Sequence, residues 1–320
     1  MLAVSVIVPA YNAKDTIAAA IESVQAQTLR DDIEILIIDD ASADETAAVV
    51  TRCMERDPRV QLLRHDKNLG PGAARNRGIM AARGEWIALL DADDRFHPER
   101  LERLIALGVS TKADMVADNL LLLEAGSVPG RTMMFPPGWI AEGMLLDAVK
   151  FVEGNIGRRG QQRLAYGFLK PIIRRAFIAD HGVHYESTRF AEDYAFYLRC
   201  LISGARWVIT SEAMYEYTMR PESLTVAASE DDLVLLSESD TKLLMIAAAT
   251  DQARLASEIE RHKRSVELTL SWVSFVRALK TRNASRAVTT LLRDADSFEH
   301  ILSEGLRALP RALAKISRNR

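Results

Sequence analysis

Cysteine is nearly absent from this 320-residue chain, which carries only Cys53 and Cys200. Two thiols cannot build a disulfide framework, so a reducing compartment is the expectation. Long apolar runs are missing too: nothing approaches the ~18 consecutive apolar residues that a membrane-spanning helix requires. Met1-Leu2-Ala3 lacks the basic start of a signal peptide, and the sequence reads as soluble and cytoplasmic. Neither sign of charge dominates. Lys and Arg number 41 against 44 Asp and Glu, a net charge of -3, which gives no reason to expect nucleic acid as a partner. No GxxxxGK[ST] phosphate loop occurs, and Gly70-Pro71-Gly72 is followed by Arg75 where a dinucleotide loop needs its third glycine. P-loop and dehydrogenase readings both lose their support.

What remains is ample for folding. Apolar residues make up 48%, and a rough prior of about 150 residues per domain allows two domains. Short valine- and isoleucine-rich runs predict strands over Ala3–Pro9, Ile33–Asp39, Val60–Arg64, Trp86–Leu90 and Asp114–Leu123. Between them, helical spacing predicts helices over Asp15–Gln27, from a capping box at Ser42–Glu45, over Gly72–Arg83 with Gly84 as its cap, and over Pro98–Leu107. Strand and helix in alternation imply an α/β fold with a mostly parallel sheet flanked by helices. Prolines and glycines loosen the pattern over Glu124–Phe168. Beyond it, a helix over Ala191–Leu201 and strands over Arg206–Thr210 and Met214–Thr218 are expected. From about Glu230 onward only helical segments are read. The expected organisation is therefore residues 1–228, with halves 1–123 and 124–228, followed by an all-helical appendage over 229–320.

Ligands of open parallel sheets bind beyond the carboxyl ends of the strands. There the sequence places Pro9-Ala10-Tyr11-Asn12, Asp39-Asp40, Arg75-Asn76 after the third strand, and Asp91-Ala92-Asp93-Asp94. Aspartate is common in turns, but two strands ending in aspartate clusters suggest a purpose. Asp91 and Asp93, two residues apart where a buried strand emerges, can share a hard divalent cation such as Mg²⁺ or Mn²⁺. An EF-hand reading of Asp91, Asp93 and Glu102 fails at Phe96, where glycine is required, and at Arg95.

Val6-Ile-Val-Pro-Ala-Tyr-Asn12, Ile37-Ile-Asp-Asp-Ala-Ser42, Asn68-Leu-Gly-Pro-Gly-Ala-Ala-Arg-Asn76 and Leu89-Leu-Asp-Ala-Asp-Asp94 together resemble the family-2 glycosyltransferases with the GT-A fold. Gly167-Phe-Leu-Lys-Pro-Ile-Ile-Arg-Arg175 and Ala191-Glu-Asp-Tyr194 are similar to acceptor-side segments of bacterial exopolysaccharide members. The resemblance spans about residues 3–225. It implies a nucleotide pocket lined by Pro9, Ala10, Tyr11 and Asn12, with Asp39 or Asp40 accepting from uracil and ribose. Arg75 and Asn76 would reach the diphosphate or sugar. Asp93 would bind a metal bridging the phosphates, and Asp91 and Ala92 would adjoin the sugar nucleotide. Asp193 would be the general base, and Arg220, with Ser223 nearby, would close over the donor. The implied reaction is metal-dependent, inverting transfer from a UDP-sugar to a lipid-linked surface polysaccharide.

Read without the resemblance, several features keep two meanings. Glu192-Asp193 also suits an ordinary acidic first helical turn. Lys170, Arg174 and Arg175 could meet a phosphate-bearing acceptor or form a solvated face. His181 and His184 read as loop residues, having no cysteine or further histidine nearby. Over residues 301–320, Arg307, Arg311, Lys315, Arg318 and Arg320 face Glu304 alone. That basic amphipathic segment could lie on an anionic membrane as a peripheral contact, pack on the core, or support a homodimer. A nucleotidyltransferase and a non-catalytic UDP-binding scaffold are the alternative functions.

Overall fold

Runs rich in β-branched residues bury on both faces, and the first strands do so. In the computed structural model all residues of Val4–Ala10 except Pro9 are buried, as are all of Ile33–Asp39. The structure describes residues 2–29, 32–124, 132–157, 164–186, 191–219, 228–250 and 252–318, with side chains through Leu306. The chain forms two compact units, Met1–Val226 and Ala227–Arg320.

The first unit begins as alternating strands and helices: β1 (Val4–Ala10), α1 (Ile17–Gln25), β2 (Ile33–Asp39), α2 (Thr46–Arg56), β3 (Val60–Arg64), α3 (Pro71–Ala81) and β4 (Trp86–Leu89). It continues through β5 (Arg95–Phe96), α4 (Arg100–Thr111), β6 (Met115–Glu124), β7 (Thr132–Met133), β8 (Met144–Leu146) and α5 (Ala148–Asn155). The last elements are β9 (Ile172–Arg174), α6 (Arg175–His181), α7 (Glu192–Ile202) and β10 (Trp207–Met219). One sheet runs β3-β2-β1-β4-β9-β6-β10-β5, with β7 on β6 and β8 on β10. The β3-β2-β1-β4 half is parallel, as is the β6–β10 pair. β9 runs antiparallel to both β4 and β6. This is the mostly parallel, helix-flanked α/β architecture that the sequence predicts.

Three local expectations are corrected. The two short strands expected over 206–218 are one, because register shifts at Ile209/Ala213 and Ala213/Tyr215 carry β10 through polar residues that read as a turn. No capping box forms at Ser42; its hydroxyl accepts from the Asn12 N–H, and α2 starts at Thr46. Gly84 is not a helix cap. α3 ends at Ala81, and a Cβ on Gly84 would lie 2.5 Å from the Ser5 nitrogen, so close backbone approach requires glycine there.

Two buried ionic groups pin the sheet's centre. Arg100 and Asp118, both 0% exposed, pair at 2.8 Å, and Asp118 also accepts from the Met214 N–H. The Arg100 guanidinium donates to the Lys170 carbonyl as well. The second unit contains α8 (Glu230–Ala249), α9 (Ala253–Lys280), α10 (Ala284–Leu291) and α11 (Ala295–Arg318). Ser229 and Asp232 form a reciprocal capping box at its start, and His262 on α9 meets Asp240 on α8 at 2.8 Å inside it.

α3 lies directly on β1: a Cβ on Gly78 would sit 2.3 Å from Cγ2 of Ile7. Gly78→Ala is therefore expected to cost about 1–3 kcal/mol by overpacking, read as a lower urea midpoint at unchanged slope. An unchanged midpoint would contradict this contact.

Candidate active site

Parallel pairing sets the site's frame. Ala10 is opposite Asp39 and Ile7 is opposite Leu89, so β2, β1 and β4 end on one edge of the sheet. Asp39 and the Asp91–Asp94 turn are thus separated by two strand spacings, about 10 Å.

At the β1–β2 end, Asn12 and Ala41 both adopt left-handed backbone, with φ of 51° and 60°. Such conformations in non-glycine residues cluster where a site is built. Asn12 Oδ1 accepts from the Ala43 N–H, which ties the two loops together. Asp39 is fully buried and accepts from the Ser42 N–H and from Arg64 Nε. Asp40 accepts from the Leu69 and Gly70 N–H groups and contacts His65 Nδ1 at 2.7 Å. It therefore fastens the loop that opens α3. Its own N–H donates to the Ala10 carbonyl. Pro9 is half-buried, Ala10 buried, and Tyr11 exposed at the rim.

α3 carries Arg75 into the interior, where it is 4% exposed. Nη2 donates to Asp91 at 3.0 Å and Nη1 to Glu192 at 2.5 Å, with Asp193 Oδ1 3.6 Å away. Lys170, equally buried, reaches Asp193 Oδ2 at 2.7 Å and Asp91 Oδ2 at 3.0 Å. Two cations thus hold three carboxylates drawn from the β4 turn and from the first turn of α7. Ala191, just before that turn, is also left-handed, with φ of 55°. Asn76 exchanges two hydrogen bonds with Tyr185, each 2.8 Å, which clamps the segment around Tyr185 onto α3.

The electrostatics follow from this packing. Burial alone would raise the Asp91 pKa, but Lys170 and Arg75 outweigh it and hold the carboxyl well below the usual range. Burial would lower the Lys170 pKa, yet Asp193 and Asp91 hold it well above the lysine value. Glu192 is raised by burial, which its bond to Arg75 only partly offsets. Asp94 is pushed well above the carboxylate range by burial and then by the like charges of Asp91 and Asp93. Tyr215 of β10 fixes this turn, donating to Asp94 Oδ2 and accepting from the Asp91 N–H.

Several buried polar atoms here make no hydrogen bond among the described residues: Asp193 Oδ1, Arg75 Nε, and the Tyr185 and Tyr197 hydroxyls. Buried groups of this kind call for water or a ligand. The half-buried Asp93 and Ala92 lie in the same turn as Asp91. Among the described residues, no group of three or more His, Cys, Asp or Glu could hold a metal unaided. A divalent cation with hydrated, phosphate-completed coordination needs fewer. The carboxylate oxygens of Asp93 and of its neighbour Asp91 are hard donors of the kind such a cation takes.

Arg75, Asp91 and Asp193 are brought together, and Asp39, Asp40 and Asn12 gather beside them. Arg220 and Ser223 fall outside the described residues. The basic cluster of Lys170, Arg174 and Arg175 is dispersed. Arg174 stacks on Trp86 and pairs with Glu85, and Arg175 donates to the Gly84 carbonyl, whereas Lys170 turns into the site. His181 and His184 bond local carbonyls. The sequence reading weighs Lys170 only within a basic cluster facing a phosphate-bearing acceptor or solvent, so its pairing with Asp193 and Asp91 is new, and Tyr215 carries no site signal in the sequence.

The family model described as Glycosyl transferase family 2 matches residues 5–177. The chain is 38% identical to the succinoglycan biosynthesis protein ExoU of Rhizobium meliloti (strain 1021) over 267 residues, 82% of this chain and 75% of that one. It is 36% identical to ExoO, a succinoglycan biosynthesis protein of the same strain, over 97% of this chain and 87% of the relative. Among solved structures, S. aureus TarS 1-349 in complex with UDP-GlcNAc superposes with a TM-score of 0.62 at 18% identity, covering 90% of each chain. That similarity is one of fold.

The depressed Asp91 carboxyl gives a pH-dependent contribution with a definite sign. A carboxyl lowered in the folded state stabilises above its unfolded pKa, near 3.8, and loses that contribution as pH falls through the folded value. The difference in Tm between the protein and Asp91→Asn should therefore be largest above pH 3.8 and shrink below it. A difference that widens on acidification would contradict the ion-pair geometry.

Proposed function

The chain belongs to glycosyl transferase family 2, and from that premise we propose that it moves a sugar from a UDP-linked donor to a hydroxyl of a growing surface polysaccharide, inverting the anomeric centre. The chain is a glycosyltransferase with relatives in exopolysaccharide synthesis. The donor, acceptor and mechanism are the parts proposed. The observation that carries the reading is Asp193: one oxygen is held by Lys170, and the other is buried without a hydrogen bond among the described residues.

In this reading the acceptor hydroxyl donates to Asp193 Oδ1, which takes its proton as the oxygen attacks the anomeric carbon. A single base and no protein nucleophile give inversion by in-line attack. The uridine lies against Pro9, Ala10, Tyr11 and Asn12, with Asp39 on its polar edge. Both aspartates already use their oxygens within the protein, so Asp39 is chosen by its place at the very end of β2, opposite Ala10. Asp93 would hold a Mg²⁺ or Mn²⁺ ion, since Asp91 is already neutralised by Arg75 and Lys170. When bound, such an ion neutralises charge developing on the leaving diphosphate. Arg75 is placed to keep the donor side and the base side in register. Arg220 belongs to the proposal as a further contact to the diphosphate.

The relatives' role in succinoglycan biosynthesis supports a polysaccharide acceptor, and the basic residues of 301–320 would suit a lipid-linked one. No helix among the described residues is long and apolar enough to cross a membrane. Contact with a membrane would then be peripheral, through the basic C-terminal helix, on the cytoplasmic face.

Asp193→Asn should lower kcat by about 10²–10⁴, the usual share of a general base, while UDP affinity measured by calorimetry stays within a few-fold. Transfer at wild-type rate by this variant would end the assignment. For the cation, EDTA should abolish turnover and Mn²⁺ restore it, and Asp93→Ala should lose the response. Metal-independent turnover would contradict that part alone. Release of pyrophosphate instead of UDP would mark a nucleotidyltransferase.

A further inference from the structure

The buried lysine that the site acquires from β9 has a role of its own. β9 is the antiparallel strand between β4 and β6, with Ile172 opposite Ala88. Because it runs opposite to β4, its entering residues lie at the edge where β4 ends, beside Asp91. A parallel strand at this position would deliver its last residues there instead. The Lys170 carbonyl is held by Arg100, itself locked to Asp118 in the core. The backbone that carries the ammonium is therefore fixed by a fully buried pair.

We infer that Lys170 is the positioning residue of the general base, holding Asp193 in one orientation against the Asp91 turn so that Oδ1 alone faces the acceptor. Its Nζ lies 2.7 Å from Asp193 Oδ2 and 3.0 Å from Asp91 Oδ2, at 5% exposure. A carboxylate has two equivalent oxygens and rotates freely unless one is fixed. A charge-assisted bond to a buried ammonium supplies that constraint. The same ammonium touches the donor-side turn, so base and donor loop share a single point of attachment. Arg75 makes the parallel link through Glu192 and Asp91. Its nearest approach to Asp193 is 3.6 Å, on the opposite oxygen. Lys170 therefore sets the base, and Arg75 sets the helix turn that bears it. The logic is that of a base oriented by a third group.

This inference rests on the assignment of Asp193 as base, so the experiment is a cycle of four proteins: parent, Lys170→Met, Asp193→Asn and the double variant. Each is assayed for kcat with a saturating UDP-sugar and a glycan acceptor, with folding checked by Tm. Lys170→Met should lower kcat by more than tenfold. In the Asp193→Asn background the same change should have less than about twofold effect, because residues acting as a unit are non-additive. Lys170→Arg, which keeps the charge with a different reach, should recover part of kcat and covers the case in which the methionine variant folds poorly. Lys170→Met within threefold of the parent, while Asp193→Asn is inactive, overturns the inference and leaves the base assignment standing. Equal losses in both backgrounds overturn it as well, since they would mark a structural role. An active Asp193→Asn removes the base assignment itself.

Discussion

A buried sharing of two cations among three carboxylates is the constraint on which the rest of the structure depends. Arg75 and Lys170 come from a helix N-terminal region and from a strand entry, and Asp91, Glu192 and Asp193 from a strand-end turn and a helix start. Removing one partner from such a group strands a charge in low dielectric, which typically costs 3–5 kcal/mol. The network is one carboxylate in excess. That excess leaves the cluster with a net negative charge beside the Asp91–Asp94 turn.

The fold serves this arrangement by bringing distant segments to one edge. Parallel pairing aligns the ends of β2, β1 and β4, and the antiparallel β9 reverses direction so that its start joins them. Tyr215, from the far side of the sheet, pins the Asp91–Asp94 turn across 121 to 124 residues of sequence. Glycine at 72 and 78 lets α3 lie close to the Glu186 carbonyl and to Ile7, which places Arg75 at the centre.

Much of this was legible in the sequence, because the signals were local. Valine-rich strands ending in aspartates, and a Gly-Pro-Gly helix start followed by Arg75-Asn76, are features of a few residues each. They mark Asp39, Asp91 and Asp93 as candidates, whereas Asp193 is a candidate only through the family resemblance. What was not legible depended on partners remote in sequence. Lys170 shares a short stretch with Arg174 and Arg175 and reads as a basic cluster facing an acceptor phosphate or solvent until β9 is known to be antiparallel. Arg100 and Asp118 look like ordinary exposed charges, yet both are fully buried. The β10 bulge was hidden because Thr210-Ser211-Glu212 has the composition of a turn. Ser42 has the local pattern of a helix cap, but its hydroxyl accepts from the Asn12 N–H, thirty residues away.

The claim that one sheet edge gathers both the donor's diphosphate and the attacking hydroxyl's base is tested most directly by a crystal structure with UDP and Mn²⁺. The account predicts uridine beside Asp39 and Asn12, the ion and diphosphate at Asp93, and Asp193 Oδ1 open toward the space beyond the β-phosphate. Nucleotide bound at another face, with the Asp91–Lys170–Asp193 cluster unchanged and remote from it, would contradict the account.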